Sequence, residues 1–278
     1  MSTIAVLGAG PIGAGIAHTL ARRARVRDVR LIDAAATVAA GKALDIRQTG
    51  PVEGYDTRLS GIGDPLAAVG ADVIVVADTH ADGEWEGDRG LALIRQLVAA
   101  GASGPFVFAG PKQTWLMEAV VRELGIASDR VVGTAAVAMV TAARALAGLE
   151  VNGSGADVAL AMCGKPPALT VAWSSATIGG SLLTDRVPSH RVLAISQQLK
   201  KLWPPGPYAI ATASAPVVEG LIASTRRDTP GVTVLNGEFG QRGVACLLPL
   251  TLGKGRVLSR IVPSLSPQER TDVVNSLR

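Results

Sequence analysis

The chain has 278 residues, 48% hydrophobic and 18% charged, enough apolar material to bury a large core in one or two domains and too much for a disordered chain. Its net charge of +4 is scattered in short pairs such as Arg22-Arg23 and Lys200-Lys201, and aromatics are only 3% of residues, which excludes the basic, aromatic-studded stripe of a nucleic-acid binder. Two cysteines, Cys163 and Cys246, exclude a disulfide framework and zinc-ligand spacing. No uncharged apolar run reaches the roughly 18 residues of a membrane span, and Met-Ser-Thr leads straight into an apolar run without a basic start. These features lead us to expect a cytoplasmic protein without membrane, nucleic-acid or metal partners.

Residues 3–7, Thr-Ile-Ala-Val-Leu, predict a strand that enters Gly8-Ala9-Gly10-Pro11-Ile12-Gly13, continues with helical spacing, and returns in a second strand ending at Asp33. Strand, glycine loop and helix in this order form a dinucleotide-binding βαβ unit. Gly8 makes the tight turn, Gly10 lets backbone approach a pyrophosphate, and Gly13 lets the helix pack close, its N-terminus facing the phosphates. Asp33 stands twenty residues after Gly13, where a carboxylate accepts hydrogen bonds from a ribose diol and repels a 2′-phosphate. The expected cofactor is therefore NAD, held by Gly8, Gly10, Pro11, Ile12, Gly13 and Asp33.

Residues 37–46 have helical spacing, and Gly50-Pro51 with Gly54 marks a turn before a short strand at 57–60. Val73-Ile74-Val75-Val76-Ala77 is an unbroken apolar run, as in a parallel strand buried on both faces. Residues 78–88 read as a polar loop and 89–100 as the helix after it, followed by a strand at 105–109, a helix at 112–124 and a strand edge at 131–133. Strands alternating with helices specify a Rossmann-type, doubly wound parallel sheet, an α/β dinucleotide domain over residues 1–142. Residues 143–278 change character: paired strands at 156–163 and 169–173, helices at 191–202 and 209–223, and short strands at 232–235, 243–248 and 256–261 describe an appended α+β domain. Ser266-Pro267-Gln268-Glu269 opens the last helix with an N-cap and an acid near the positive dipole end.

Several strings then fall in the order of one family. Residues 4–20, Gly41-Lys42-Ala43-Leu44-Asp45, Gly50-Pro51-Val52-Glu53-Gly54, residues 70–76, Gly237-Glu238-Phe239-Gly240, Leu248-Pro249 and Leu252-Gly253 together resemble the malate/lactate dehydrogenase family over essentially the whole chain. The resemblance implies that fold, an NAD-dependent oxidoreductase acting on a small molecule, contacts from Ala77 and Gly110 to the cofactor, and a homodimer or homotetramer. It also implies a histidine proton donor, an aspartate that orients it, and arginines that clamp a 2-oxo acid. Here the best counterpart of the histidine string is Cys163-Gly164-Lys165, the aspartate position holds Met139, the clamp holds Ala142, and the asparagine at the nicotinamide end is Gly110.

The loop that carries arginines in the family reads Asp78-Thr79-His80-Ala81-Asp82-Gly83-Glu84-Trp85-Glu86-Gly87-Asp88-Arg89, five acids against one arginine. Such a loop over the cleft inverts its potential, repelling a dicarboxylate and favouring a cationic amine, imine or iminium; an acidic surface loop that is merely solvated is the other reading. His80, with Asp78 or Asp82 as partner, is a candidate proton donor. Cys163 is a candidate nucleophile if its thiolate is stabilised, and Lys165 can lower its pKa or offer a proton. The sequence leaves two classes open: an oxidoreductase with an altered active site, acting on neither malate nor lactate, or an inactive or non-redox protein keeping the fold and the dinucleotide.

Overall fold

The computed structural model describes residues 2–278. The first half alternates strand and helix: β1 (Thr3–Leu7), α1 (Pro11–Arg23), β2 (Asp28–Ile32), α2 (Ala36–Glu53), β3 (Arg58–Ile62) and β4 (Val73–Val76). A small hairpin, β5 (Asp78–Thr79) and β6 (Gly83–Glu84), precedes α3 (Gly87–Ala99), β7 (Phe106–Phe108), α4 (Thr114–Leu124), β8 (Val131–Gly133) and α5 (Val137–Glu150). The second half holds the short strands β9 (Val158–Ala159), β10 (Met162–Cys163), β11 (Thr170–Val171), β12 (Thr177–Ile178) and β13 (Ser181–Leu182), then α6 (Leu183–Arg186), α7 (Ser189–Lys200) and α8 (Pro207–Ile222). It closes with β14 (Arg227–Asn236), β15 (Arg242–Gly253), β16 (Arg256–Arg260) and α9 (Pro267–Ser276).

Nine of these strands form one sheet in the order β3-β2-β1-β4-β7-β8-β14-β15-β16. The first six are parallel and the last three antiparallel. Strand order reverses between β1 and β4, which opens a crevice beyond their carboxyl ends, where such sheets bind ligands. The alternation of side chains builds two cores. Ile4 and Val6 of β1 face Ile12, Ile16 and Leu20 of α1 with Ile210 and Val217 of α8. Ala5 and Leu7 face the opposite layer, with Ile94 and Leu97 of α3 and Leu116 of α4. All four residues of β4 are buried, as the unbroken apolar run predicts.

Three expectations change. The helix predicted over 37–46 runs on to Glu53 with Pro51 inside it. Proline there removes one N–H bond in the final turn only, and Gly54, in the left-handed region at φ 78°, ends the helix by donating to the Gly50 carbonyl. The short strands expected at 232–235 and 243–248 are instead long, and they extend the main sheet through the pairing of β14 with β8. The polar loop at 78–88 contains the β5–β6 hairpin, closed by the Asp82 N–H donating to Thr79 Oγ1 (2.9 Å) and by Thr79 Oγ1 donating to the Gly83 carbonyl (3.1 Å).

Helix α8 clamps the second half onto α1. Gly15 of α1 lets Ala211 approach so closely that a Cβ in its place would stand 3.0 Å from the Ala211 methyl. Glu219, only 8% exposed, accepts from Arg23 Nε (2.5 Å) and Nη2 (2.9 Å) and from Arg25 Nη1 (3.1 Å). The bond to Glu219, set against the cost of burial, raises the Arg23 pKa. Glu219→Ala removes three charge-assisted bonds from α8 to the end of α1 and the turn after it, whose arginines still reach water. The expected loss is about 2 kcal/mol in urea denaturation; a loss under about 0.5 kcal/mol would show that apolar packing alone joins the halves.

Candidate functional site

The loop between β1 and α1 is compressed. Gly8 sits at φ 117° and donates its N–H to the Ile32 carbonyl, a Cβ at Gly8 would stand 2.2 Å from the Asp78 carbonyl oxygen, and a Cβ at Gly13 would stand 2.0 Å from the Gly8 carbonyl oxygen. Both glycines are thus required by close approach. Helix α1 starts at Pro11 with Gly10 as its cap, so no side chain of the cap serves its first N–H groups. They are served from across the crevice. Asp78 accepts from the N–H of Ile12 (3.2 Å, Oδ2) and Gly13 (2.8 Å, Oδ1), and its carbonyl accepts from the Gly10 N–H (2.8 Å). A Cβ at Gly10 would stand 2.4 Å from the Asp78 carboxyl carbon.

Asp33 is equally committed. Its carboxylate, 4% exposed, accepts from the N–H groups of Ala9 (2.8 Å), His80 (2.8 Å) and Ala35 (3.0 Å). Burial alone would raise its pKa, but these three donors, aided by the nearby His80 ring, hold it below the usual carboxylate range. Lys42 of α2 donates Nζ to the Ala9 carbonyl (2.5 Å), a contact that the sequence signalled only as part of a family string.

At the far end of the crevice, Ala77 accepts at its carbonyl from the Trp85 N–H and from Gln113 Nε2. Gln113, fully buried, ties the hairpin to the Gly110 turn, accepting from the Gly110 N–H (2.9 Å) and donating to the carbonyls of Ala77 and Trp85. The helical pattern after residue 112 concealed this role. Glu84 accepts from the Lys112 N–H (2.9 Å) and fills the space above Gly110, where a Cβ would stand 2.0 Å from Glu84 Oε2. Burial raises the Glu84 pKa, the Lys112 N–H opposes the rise, and the charges of Glu86 and Asp78 add to it.

The candidate acid–base residues do not converge. The His80 side chain is exposed, and only its backbone N–H is engaged, on Asp33. Asp82 pairs with Arg89 (3.1 Å) and Asp78 with α1, so neither is left to orient an imidazole. Cys163 is fully buried on β10, and burial, with the neighbouring Cys246, pushes its thiol far above the ordinary range. The candidate nucleophile is therefore a packed core residue, and the Cys246 thiol is likewise pushed up to about 12. Lys165 leaves that thiol alone and instead pairs through Nζ with Glu118 of α4 (2.8 Å), which also accepts from the Ala245 N–H (2.9 Å). Met139 is buried and, with Met162, Trp173 and Trp203, lines a cavity of about 850 Å³ in the second half. Trp85 stacks under Arg89, 4.6 Å from the ring centroid, while Trp173 lines the cavity of the second half.

Residues 2–87 match the family model described as lactate/malate dehydrogenase, NAD binding domain. Malate dehydrogenase of Chlorobium limicola is 27% identical over 285 residues, 96% of this chain and 92% of that protein, and malate dehydrogenase of Thermomicrobium roseum is 28% identical over 286 residues, again 96% and 92%. Residues 2–87 thus carry the NAD binding domain of lactate/malate dehydrogenases, and the chain is similar to malate dehydrogenases along nearly its whole length. The solved malate dehydrogenase of Salinibacter ruber superposes with a TM-score of 0.88 at 24% identity over 99% of this chain and 93% of that one. The minor L-lactate dehydrogenase of Enterococcus mundtii gives 0.89 at 20% identity over 99% and 95%. The last two likenesses establish the shared fold.

The matched domain is described as NAD binding, and in this structure Gly8, Gly10, Gly13 and Asp33 lie together beyond the ends of β1 and β2. The hairpin does not suit the cofactor as it sits. Asp78 covers two of the N–H groups that would meet a pyrophosphate, and the Asp33 carboxylate that would meet a ribose already accepts from three backbone donors.

Two outcomes are expected. Native protein treated with iodoacetamide remains unmodified at Cys163 and Cys246 and reacts at both once denatured; rapid alkylation of Cys163 in the folded protein would restore it as a nucleophile. For Glu84, whose folded pKa is raised, the favourable contribution is complete below its ordinary value of 4.5 and is lost as pH rises through the folded pKa. Glu84→Gln is therefore more stable than the wild type at neutral pH, and the gap closes on acidification; a gap that widens in acid would contradict the buried-carboxylate reading.

Proposed function

We propose that this chain is a dehydrogenase-family protein with a rebuilt substrate half, an oxidoreductase scaffold that acts on neither malate nor lactate and takes a small cationic molecule. The observation that carries this reading is the hairpin. The family's loop brings arginines over the cleft, whereas β5–β6 brings Asp78 and Glu84 inward and leaves Asp82 and Glu86 on the rim. A 2-oxo acid needs fixed positive charge around its carboxylate and a proton donor at its carbonyl. The matching positions supply Met139, Ala142 and the buried Cys163, and Lys165 two residues on is already paired with Glu118. Negative charge concentrated at the mouth of a crevice lowers the energy of an amine, imine or iminium there and raises that of a dicarboxylate. An already protonated imine also needs no strong general acid, which agrees with the lost histidine.

A second reading, a protein without turnover that keeps the fold for binding or scaffolding, is favoured by the same hairpin, because its carboxylates stand on groups that serve a dinucleotide in the family. In either case we infer a cytoplasmic homodimer or homotetramer. The exposed Tyr208 of α8 and the apolar groove of about 1050 Å³ beside it, shared with Val137 and Val140 of α5, supply surface for contact between copies.

Steady-state assays decide between the activities. With NADH in excess, oxaloacetate and pyruvate are expected to give no turnover above about a thousandth of an ordinary dehydrogenase rate of 1–1000 per second. Turnover of either acid at ordinary rates would overturn the rebuilt-site reading, and NADH oxidation with a cyclic imine would favour the oxidoreductase over the scaffold.

A further inference from the structure

The hairpin touches the crevice at three points along its length. The Asp78 carboxylate lies on the N–H groups of Ile12 and Gly13, the His80 N–H lies on Asp33, and the Glu84 carboxylate lies on the Lys112 N–H above Gly110. In a dinucleotide-binding domain these are, in turn, the pyrophosphate position, the ribose position and the nicotinamide end. Asp78 is itself only 7% exposed, and its carbonyl holds the Gly10 N–H, so main chain and side chain together fill the room that the glycines leave.

We propose that Asp78 is a built-in anion that keeps the pyrophosphate subsite shut, with the 78–84 hairpin as its latch. The first N–H groups of α1 have no partner inside the helix and attract one negative group. Asp78 is tethered directly behind β4, so it competes for them at a high effective concentration that free NAD must overcome. A pyrophosphate arriving beside the displaced carboxylate also meets like charge in a partly buried crevice. The wild-type chain therefore binds NAD weakly, and binding strengthens when this one side chain loses its charge or its reach. The inference rests on the family's dinucleotide domain and is independent of which substrate the protein takes.

The test is direct binding of NADH, followed by its fluorescence, to the wild type, Asp78→Ala and Asp78→Asn, with no substrate present. Asp78→Ala frees both N–H groups and is expected to bind at least about tenfold more tightly than the wild type; Asp78→Asn, which keeps the shape and drops the charge, falls between them. Circular dichroism and thermal melting establish that each variant is folded, and if Asp78→Ala fails to fold, tighter binding by Asp78→Asn decides in the same way. Equal affinity in the wild type and the folded variants, or no binding by any folded variant, would overturn the proposal. Because the readout is binding, a failed substrate assay leaves it untouched, and its own failure leaves the substrate reading untouched.

Discussion

The N–H groups of Ile12 and Gly13 open helix α1 without a partner in the helix, and a single carboxylate, that of Asp78, satisfies both. Much of the crevice follows from this contact. It draws the end of β4 against the glycine loop, which is why Gly8 and Gly10 have no room for a side chain. It fixes the start of the hairpin, whose His80 N–H, two residues on, then falls on Asp33, and whose second strand delivers Glu84 to the Gly110 turn. Gln113 locks the other side of the same segment from beneath. An anion at a helix N-terminus is favourable wherever it comes from, and here the chain provides its own.

The frame around this contact was readable in the residues. The βαβ unit, the buried run of β4 and the alternation of strands and helices through residue 133 are local signals, set by periodicity and glycine spacing, and they agree with the observed order. The extension of the sheet by β14–β16 was not readable, because pairing β14 with β8 joins residues about a hundred positions apart and leaves no local mark. Pro51 inside α2 misled for the opposite reason: a strong local breaker is harmless in a last turn that Gly54 closes.

The site was legible in its parts and hidden in its pairings. The glycines, Asp33 and the excess of acids at 78–88 all stood out, and the last suggested an inverted potential. Which acid faces which donor depends on the fold of a seven-residue hairpin, and composition cannot supply that. His80 and Asp82 share a loop and yet turn to different partners, while Lys165 and Cys163, two residues apart, part company because a strand buries the thiol and releases the amine toward Glu118. Gln113 and Lys42 carried no chemical motif, since each acts through one amide or ammonium on main-chain carbonyls.

The most direct measurement is a crystal structure of the wild-type protein soaked in micromolar NAD, a concentration that leaves a weakly binding site empty. The account requires the Asp78 carboxylate to remain on the N–H groups of Ile12 and Gly13, with no pyrophosphate in their place. Pyrophosphate oxygens bound to those two N–H groups, with Asp78 turned out of the crevice, would contradict it.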